Sequence, residues 1–325
     1  MTIMLEGLAL ALALACAALM GLAIQRGATC TVAAVEELMD RRRPVRLLAM
    51  AEASLWVGGS LLALHELGRL MHLPAGYALT RWTLAGAAVL GLGAWLNRAC
   101  VFGAIARLGS GEWAYVATPL GFYVGCLSVG SVFAPPVPQA LAEAPAVLGW
   151  PPALAWLAAA LVAARMLMVL RWRRGVPWSA HAATAVIGLS FLALLMLAGA
   201  WTYTDVLADL AHGMWQSVAV RVLLAAALLL GSLAGGMAAG KWQATLPSLT
   251  SVLRCFAGGL LMGWGSLLIP GGNDGLVLLG MPLLWPYAWV SVATMCAAIA
   301  AAMWVQQRVA SSTGISRGSR EADKA

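Results

Sequence analysis

The sequence predicts an all-α, polytopic membrane bundle of about nine transmembrane helices, with short broken or re-entrant helices and a pseudo-symmetric two-half architecture. Three observations predict it. Of the 325 residues, 62% are hydrophobic and 10% are charged, whereas soluble domains carry about 25% charged residues. The apolar residues come in runs of near-bilayer length. Glycine- and proline-rich breaks bearing polar side chains interrupt several of those runs.

The runs lie at 3–24, 47–68, 82–97, 113–134, 151–170, 181–201, 214–236, 252–269 and 283–306, where a helix needs roughly 20 residues to cross. The first begins MTIMLEGLALALALAC, without a positive leading segment, with Glu6, and with no small-residue cleavage site before a polar sequence; it reads as the first membrane helix rather than a removable signal. Arg41, Arg42, Arg43 and Arg46 follow it; Arg171, Arg173 and Arg174 follow the fifth run, Lys241 the seventh, and Arg308, Arg317, Arg320 and Lys324 the last. The stretch 135–150 has no Lys or Arg, and Asp205 and Asp209 follow the sixth run. An N-terminus outside and a C-terminus in the cytoplasm put all these connections on the side that the positive-inside rule expects, with Arg69 and Arg81 as exceptions. The expected organisation is one transport domain over 1–309, with halves at about 1–150 and 151–309 and a disordered polar tail at 310–325.

The net charge of +7 sits in these short clusters, not in a basic stripe with interleaved aromatics, so nucleic acid is not an expected partner. No nucleotide-binding loop is present. Six cysteines form no CxxC pair and lie mostly within or at the ends of apolar runs, which predicts free thiols and no zinc or iron–sulfur site. His65, His72, His181 and His212 are scattered without carboxylates at metal spacing. No metal, cofactor or catalytic residue is expected.

Two stretches suggest a duplication. GAAVLGLGAWLNRACVFG (86–103) aligns with GGLLMGWGSLLIPGGNDG (258–275), setting Gly86 on Gly258, Gly93 on Gly265 and Cys100 opposite Gly272. A second alignment, at another offset, sets GLAIQRGATC (21–30) on GMAAGKWQAT (236–245), with Arg26 on Lys241 and Cys30 on Thr245. Glycine-rich membrane helices also align with one another readily. Broken helices meeting near the bilayer midplane are the common construction of a transporter site, and the helix N-termini so created favour anions.

AIQRGATCTVAAVEEL (23–38), NRACVFGAIARLGSGEWAYVATPLGFYVGC (97–126) and GGLLMGWGSLLIPGGNDGLVLLGMPLLWPYAW (258–289) together resemble the YeeE/YedE family of membrane proteins. The resemblance implies uptake of sulfur-containing ions, thiosulfate foremost, through a bundle of pseudo-symmetric halves whose cysteines pass the anion along by S–H···S contacts. It implies path roles for Cys30, in the RG-x-x-C setting, and for Cys100. In the third motif the family pattern is G-A-x-L-x-G-G-C-x-x-G, whereas this chain reads GSLLIPGGNDG, with Gly272 in the cysteine slot followed by Asn273 and Asp274. A soluble sulfur-carrier protein is a partner implied by the family alone.

Each candidate has an alternative. Arg26 lies four residues before Cys30, so on a continuous helix both share a face, as an anion-attracting pair or as a snorkelling arginine beside a buried thiol. Glu36 and Glu37 read as the start of a solvated connection. Asn97 and Arg98 precede Cys100 after a glycine-rich helix; Arg98 either serves the path or anchors at the cytoplasmic interface beside Arg107. Asn273 and Asp274 sit in a turn sequence that lines a re-entrant path or forms a plain loop, with Asp274 paired to an arginine or accepting a proton. Cys126 lines a path or packs among glycines. Cys16, Cys255 and Cys296 read as small buried hydrophobes.

Three function classes follow: a permease for a small sulfur-containing anion in the bacterial inner membrane, contacting lipid; a membrane-embedded sulfur-transfer enzyme forming a persulfide on Cys100 or Cys30; and a structural membrane subunit. The first accounts best for thiols, polar groups and breaks occurring together.

Overall fold

The computed structural model describes residues 2–27, 29–70, 73–135, 137–171, 178–214, 218–240 and 242–312; Lys241, Arg173, Arg174, His72 and the expected tail beyond Ser312 lie outside them. Nine helical segments among the described residues are long and apolar enough to cross a membrane, as expected. The chain reads α1 (Thr2–Gly27), α2 (Thr31–Arg41), α3 (Val45–Glu66), α4 (Arg81–Asn97), α5 (Val101–Gly109), α6 (Ala117–Phe133), α7 (Pro152–Arg171), α8 (Ala180–Ala198), α9 (Tyr203–Ala211), α10 (Val218–Ala238), α11 (Leu249–Leu268), α12 (Asn273–Gly275) with a π-helical continuation over Leu276–Gly280, and α13 (Pro286–Ser312). The last span starts later than the hydropathy suggested because a turn occupies 281–284. Glu36 and Glu37 belong to helix α2, not to a loop.

One pattern occurs four times in this order: a long helix, a short break, a short helix, another long helix. It runs α1–α2–α3, α4–α5–α6, α8–α9–α10 and α11–α12–α13, with α7 outside it. Three of the breaks have a local cause. Asn97 closes α4, and Arg98 adopts a left-handed conformation at φ 60° before Cys100 starts α5. Pro270 and Gly271 both have positive φ after α11; proline cannot donate to the helix ladder, so α11 cannot continue through it. Gly199, at φ 79°, ends α8, and the Thr202 side chain then accepts from Asp205 N–H to start α9, an N-cap bond.

Glycine ladders bring the long helices together. Gly86 lies against Gly265 and Gly93 against Gly258, so α4 and α11 run antiparallel with backbones in contact. The two stretches that align as a possible repeat are therefore one another's packing partners. On its other side α11 meets α6, where Gly259 abuts Thr118 O and Gly121 abuts Phe256 O. Small residues permit this closeness in a solvent as apolar as the side chains, where contact replaces hydrophobic drive. The second alignment does not describe the fold: Cys30 starts a helix, whereas Thr245 lies in the connection before α11 and donates its N–H to Gly111 O at 3.0 Å. In the order of elements, Thr202 holds the place of Cys30.

Leucines stand exposed along the outer helices, Leu157 and Leu161 of α7 among them, and only 11% of the 152–169 span is buried. An outward face of this kind suits lipid. Beneath it Glu52 of α3 meets Arg165 of α7 at 2.8 Å and His181 Nδ1 of α8 at 2.7 Å. Glu52 thus ties α3 to α7 through Arg165 and to α8 through His181; no group of three metal-ligating side chains occurs among the described residues.

Candidate functional site

The four short helices begin inside the bundle. Asn97, which closes α4, packs against Gly258, halfway along α11. Cys100 caps α5 and Cys30 caps α2. Both are buried and free, and their thiols lie side by side. Thr31 N–H donates to Cys100 Sγ at 3.2 Å. A Cβ on Gly103 would stand 2.5 Å from Cys30 Sγ, so the missing side chain at 103 lets α5 close on α2. The two thiols therefore share the N-terminal amides of two helices, a setting of positive potential.

Asn97 holds the break that makes this possible. Its Nδ2 donates to Ala99 O at 2.8 Å, its Oδ1 accepts from Thr118 at 3.0 Å, and its main-chain O accepts from the Tyr115 hydroxyl at 3.1 Å. Replacing Asn97 with Leu strands the buried Thr118 hydroxyl and Ala99 carbonyl, each costing about 1–3 kcal/mol. The expected result is a clearly lower Tm in detergent; an unchanged Tm would show the break to be held by other means.

The second pair of helix starts is built of oxygen rather than sulfur. Thr204 of α9 donates its hydroxyl to Asp274 Oδ1 and its N–H to Asp274 Oδ2 at 3.1 Å, and Gly275 N–H donates to Oδ1 at 3.0 Å. Asp274 has no arginine partner among the described residues, which removes that expectation. A Cβ on Gly272 would collide with Thr204 Oγ1 and lie 2.6 Å from Thr204 Cβ. The slot that holds a thiol in the family pattern is here filled by a threonine from another helix. Beside it, Asn273 is 1% exposed with neither amide atom paired, and Thr29, Thr31 and Ser291 likewise bury unpaired hydroxyls. Unsatisfied buried polar atoms are rare enough to call for a partner the protein itself does not provide.

A cavity of about 20 Å³ lies between α5, α6 and α9, with a largely apolar wall that includes Val101, Ile105, Phe122 and Leu207; Thr204 reaches it, whereas Cys30, Cys100 and Asp274 do not line it. That is room for about one water, so any larger occupant requires the short helices to part.

Other expected site residues lie elsewhere. Arg26 does not share a face with Cys30, because α1 ends at Gly27 and Cys30 is extended; its guanidinium lies over the Trp178 ring at 5.9 Å. Arg98 is exposed at the level of the break, separated by the length of α5 from Arg107, which pairs with Glu112 at 3.0 Å. Cys126 borders a separate open cavity of about 610 Å³ formed with Gly130, Pro138, His212 and Leu267. Cys255, read as a plain hydrophobe, lies against Thr118 and Arg254. Thr202 and Thr204 were missed, although T-Y-T-D after a glycine is an N-cap signature legible in the sequence.

Nine spans, four interior helix starts and a buried thiol pair define a polytopic membrane protein of the carrier kind, with polar breaks facing one another inside the bundle. A family model described as sulphur transport matches residues 26–301. The chain belongs to that family, the YeeE/YedE proteins, and to its class of sulfur-compound transporters. No curated protein matches the chain.

Proposed function

We propose that this protein carries a small sulfur-containing anion, thiosulfate foremost, inward across the bacterial plasma membrane, with the N-terminus outside and the C-terminus in the cytoplasm. The thiol pair Cys30–Cys100 at two helix N-termini is the observation that carries the reading. A soft, polarisable sulfur meets sulfur there, while backbone amides offset the negative charge. Asn273 offers a buried amide with no partner among the described residues, in the turn that Gly272 and Asp274 complete against Thr204. Asn97 supports the path from behind, and Arg98, exposed at the same level, attracts the anion. Arg26 and Cys126, outside this centre, act at the two approaches. The basic connections at 41–46 support the orientation. We read residues 1–309 as one transport domain, in halves of about 1–150 and 151–309, and a soluble sulfur-carrier protein as the acceptor.

The paired thiols also favour a second reading, transfer of sulfur through a Cys100 persulfide. Such chemistry requires a base beside the thiol, and Cys100 Sγ is met by the Cys30 thiol and by Thr31 N–H at 3.2 Å, the latter a donor and not a base. Labelled thiosulfate and purified protein in liposomes separate the readings. The expected result is label inside the vesicle as intact thiosulfate. Protein-bound sulfane label without vesicle uptake would favour transfer instead, and neither would remove thiosulfate as the substrate.

A further inference from the structure

Asp274 is a buried carboxylate that has no ion-pair partner among the described residues. It is 1% exposed, and its held oxygens take only neutral donors, the Thr204 hydroxyl and the N–H groups of Thr204 and Gly275. Among the described residues no Lys or Arg forms an ion pair with it. On α9 stand Tyr203, Asp205 and Asp209; Arg221 of α10 is bound to Asp209. Tyr287 of α13 lies near Asp205. The Leu276–Gly280 continuation has no titratable group; α5 carries Arg107, paired with Glu112 at 3.0 Å, and the Cys100 thiol at its cap; Glu52 of α3 is turned to Arg165 and His181. Next to Asp274, Asn273 keeps both amide atoms unpaired at 1% exposure, so the turn has unfilled hydrogen-bonding capacity where an anion would pass.

An ionised Asp274 would repel that anion strongly, because little water is present to screen the two charges. A neutral carboxylic acid would not repel it and would add an O–H donor. We propose that Asp274 takes up a proton with each anion, making transport proton-coupled; the proposal rests on the transport reading above. The step is a simple transfer: a solvent proton binds a carboxylate oxygen of Asp274 on loading, and the O–H bond breaks toward the opposite compartment when the anion leaves. Asp205, near both Asp274 and Asp209, offers the route from the half-buried Asp209–Arg221 pair inward. Burial favours the proton on both carboxyls, raising Asp274 and pushing Asp205 up to about 6. The protonated fraction of each rises as pH falls, so acid on the entry side promotes loading.

The test uses the full chain in liposomes, with voltage clamped to zero by potassium and valinomycin. Exchange of labelled thiosulfate at equal pH tests transport itself. The steady accumulation ratio under an imposed pH difference tests coupling. One proton per anion predicts a tenfold rise in that ratio for each pH unit of outside acidity, the equilibrium worth of one unit. Asp274→Asn is expected to reach a ratio that no longer depends on the pH difference, whatever its rate. Wild-type exchange with a ratio indifferent to pH overturns the proposal while leaving the transport reading intact. Absence of exchange overturns the thiosulfate reading instead, and infrared difference spectra then decide the proposal. A carboxylic-acid band that titrates in wild type and vanishes in Asp274→Asn upholds it; its absence overturns it.

Discussion

Cys100→Ser is expected to abolish sulfur-anion uptake in a protein that still folds. Cys100 Sγ accepts Thr31 N–H at 3.2 Å, and a serine hydroxyl can accept the same bond. The buried amide keeps a partner, so the stability change stays within about 1 kcal/mol. What is lost is polarisability. An oxygen is small and hard, and it does not offer a sulfur-bearing anion the contact a thiol does. Cys30 stands beside it, and the remaining thiol alone cannot reproduce the pair. The expected fall in initial uptake is more than about tenfold, equivalent to more than about 1.4 kcal/mol, with Tm and elution volume near wild type. Uptake by Cys100→Ser equal to wild type would show that the thiol pair is packing and not path.

The second large effect concerns the glycine in the family's cysteine slot. Restoring the thiol by Gly272→Cys is expected to damage the protein rather than improve it. The new Cβ would collide with Thr204 Oγ1 and approach Thr204 Cβ to 2.6 Å, and Thr204 is held in place by both of its bonds to Asp274. Overpacking of a tight interior costs about 1–3 kcal/mol, and here the start of α9 would have to shift as well. A marked loss of Tm is expected for Gly272→Cys, with partial recovery in Gly272→Cys/Thr204→Gly, where the opposing side chain is removed. Equal stability of wild type and Gly272→Cys would mean that Thr204 moves aside freely, and the oxygen-lined turn would then be no obstacle to a third thiol.

The contrast between these sites explains what was legible beforehand. Cys100 stands out because a thiol next to asparagine, arginine and glycine is conspicuous in an apolar chain, whereas Cys30 is singled out by the family resemblance. Asn273 and Asp274 stand out for the same reason as Cys100. Thr204 does not, because a threonine near the end of an apolar run reads as a helix end. Its role comes from contact with residues seventy positions away, and no local pattern encodes that partner. Arg26 misled in the opposite way. Its i, i+4 relation to Cys30 holds on a continuous helix, but Gly27 ends the helix between them, and the guanidinium turns to Trp178 instead. Local spacing is informative only while the backbone stays periodic.

The glycine ladders teach a related lesson. Gly86, Gly93, Gly258 and Gly265 could be read as two copies of one element, and the fold uses them as two sides of one antiparallel contact. Similar sequences are expected in either case, since close approach of two backbones requires small residues on both.

By itself the sequence determined the nine apolar spans and the breaks after α4 and α11, and it singled out Cys100 and, through the family resemblance, Cys30. The spans and breaks follow from composition, run length and the poor fit of proline and glycine to a continuing helix, all of which act within a few residues. Only the tertiary structure decided that Cys30 meets Cys100, that Thr204 fills the place of a third thiol, and that Asp274 is held by hydroxyl and amide rather than by arginine. Those outcomes depend on which helices pack together. Packing is settled by the fit of whole surfaces, a property that no short stretch of chain possesses.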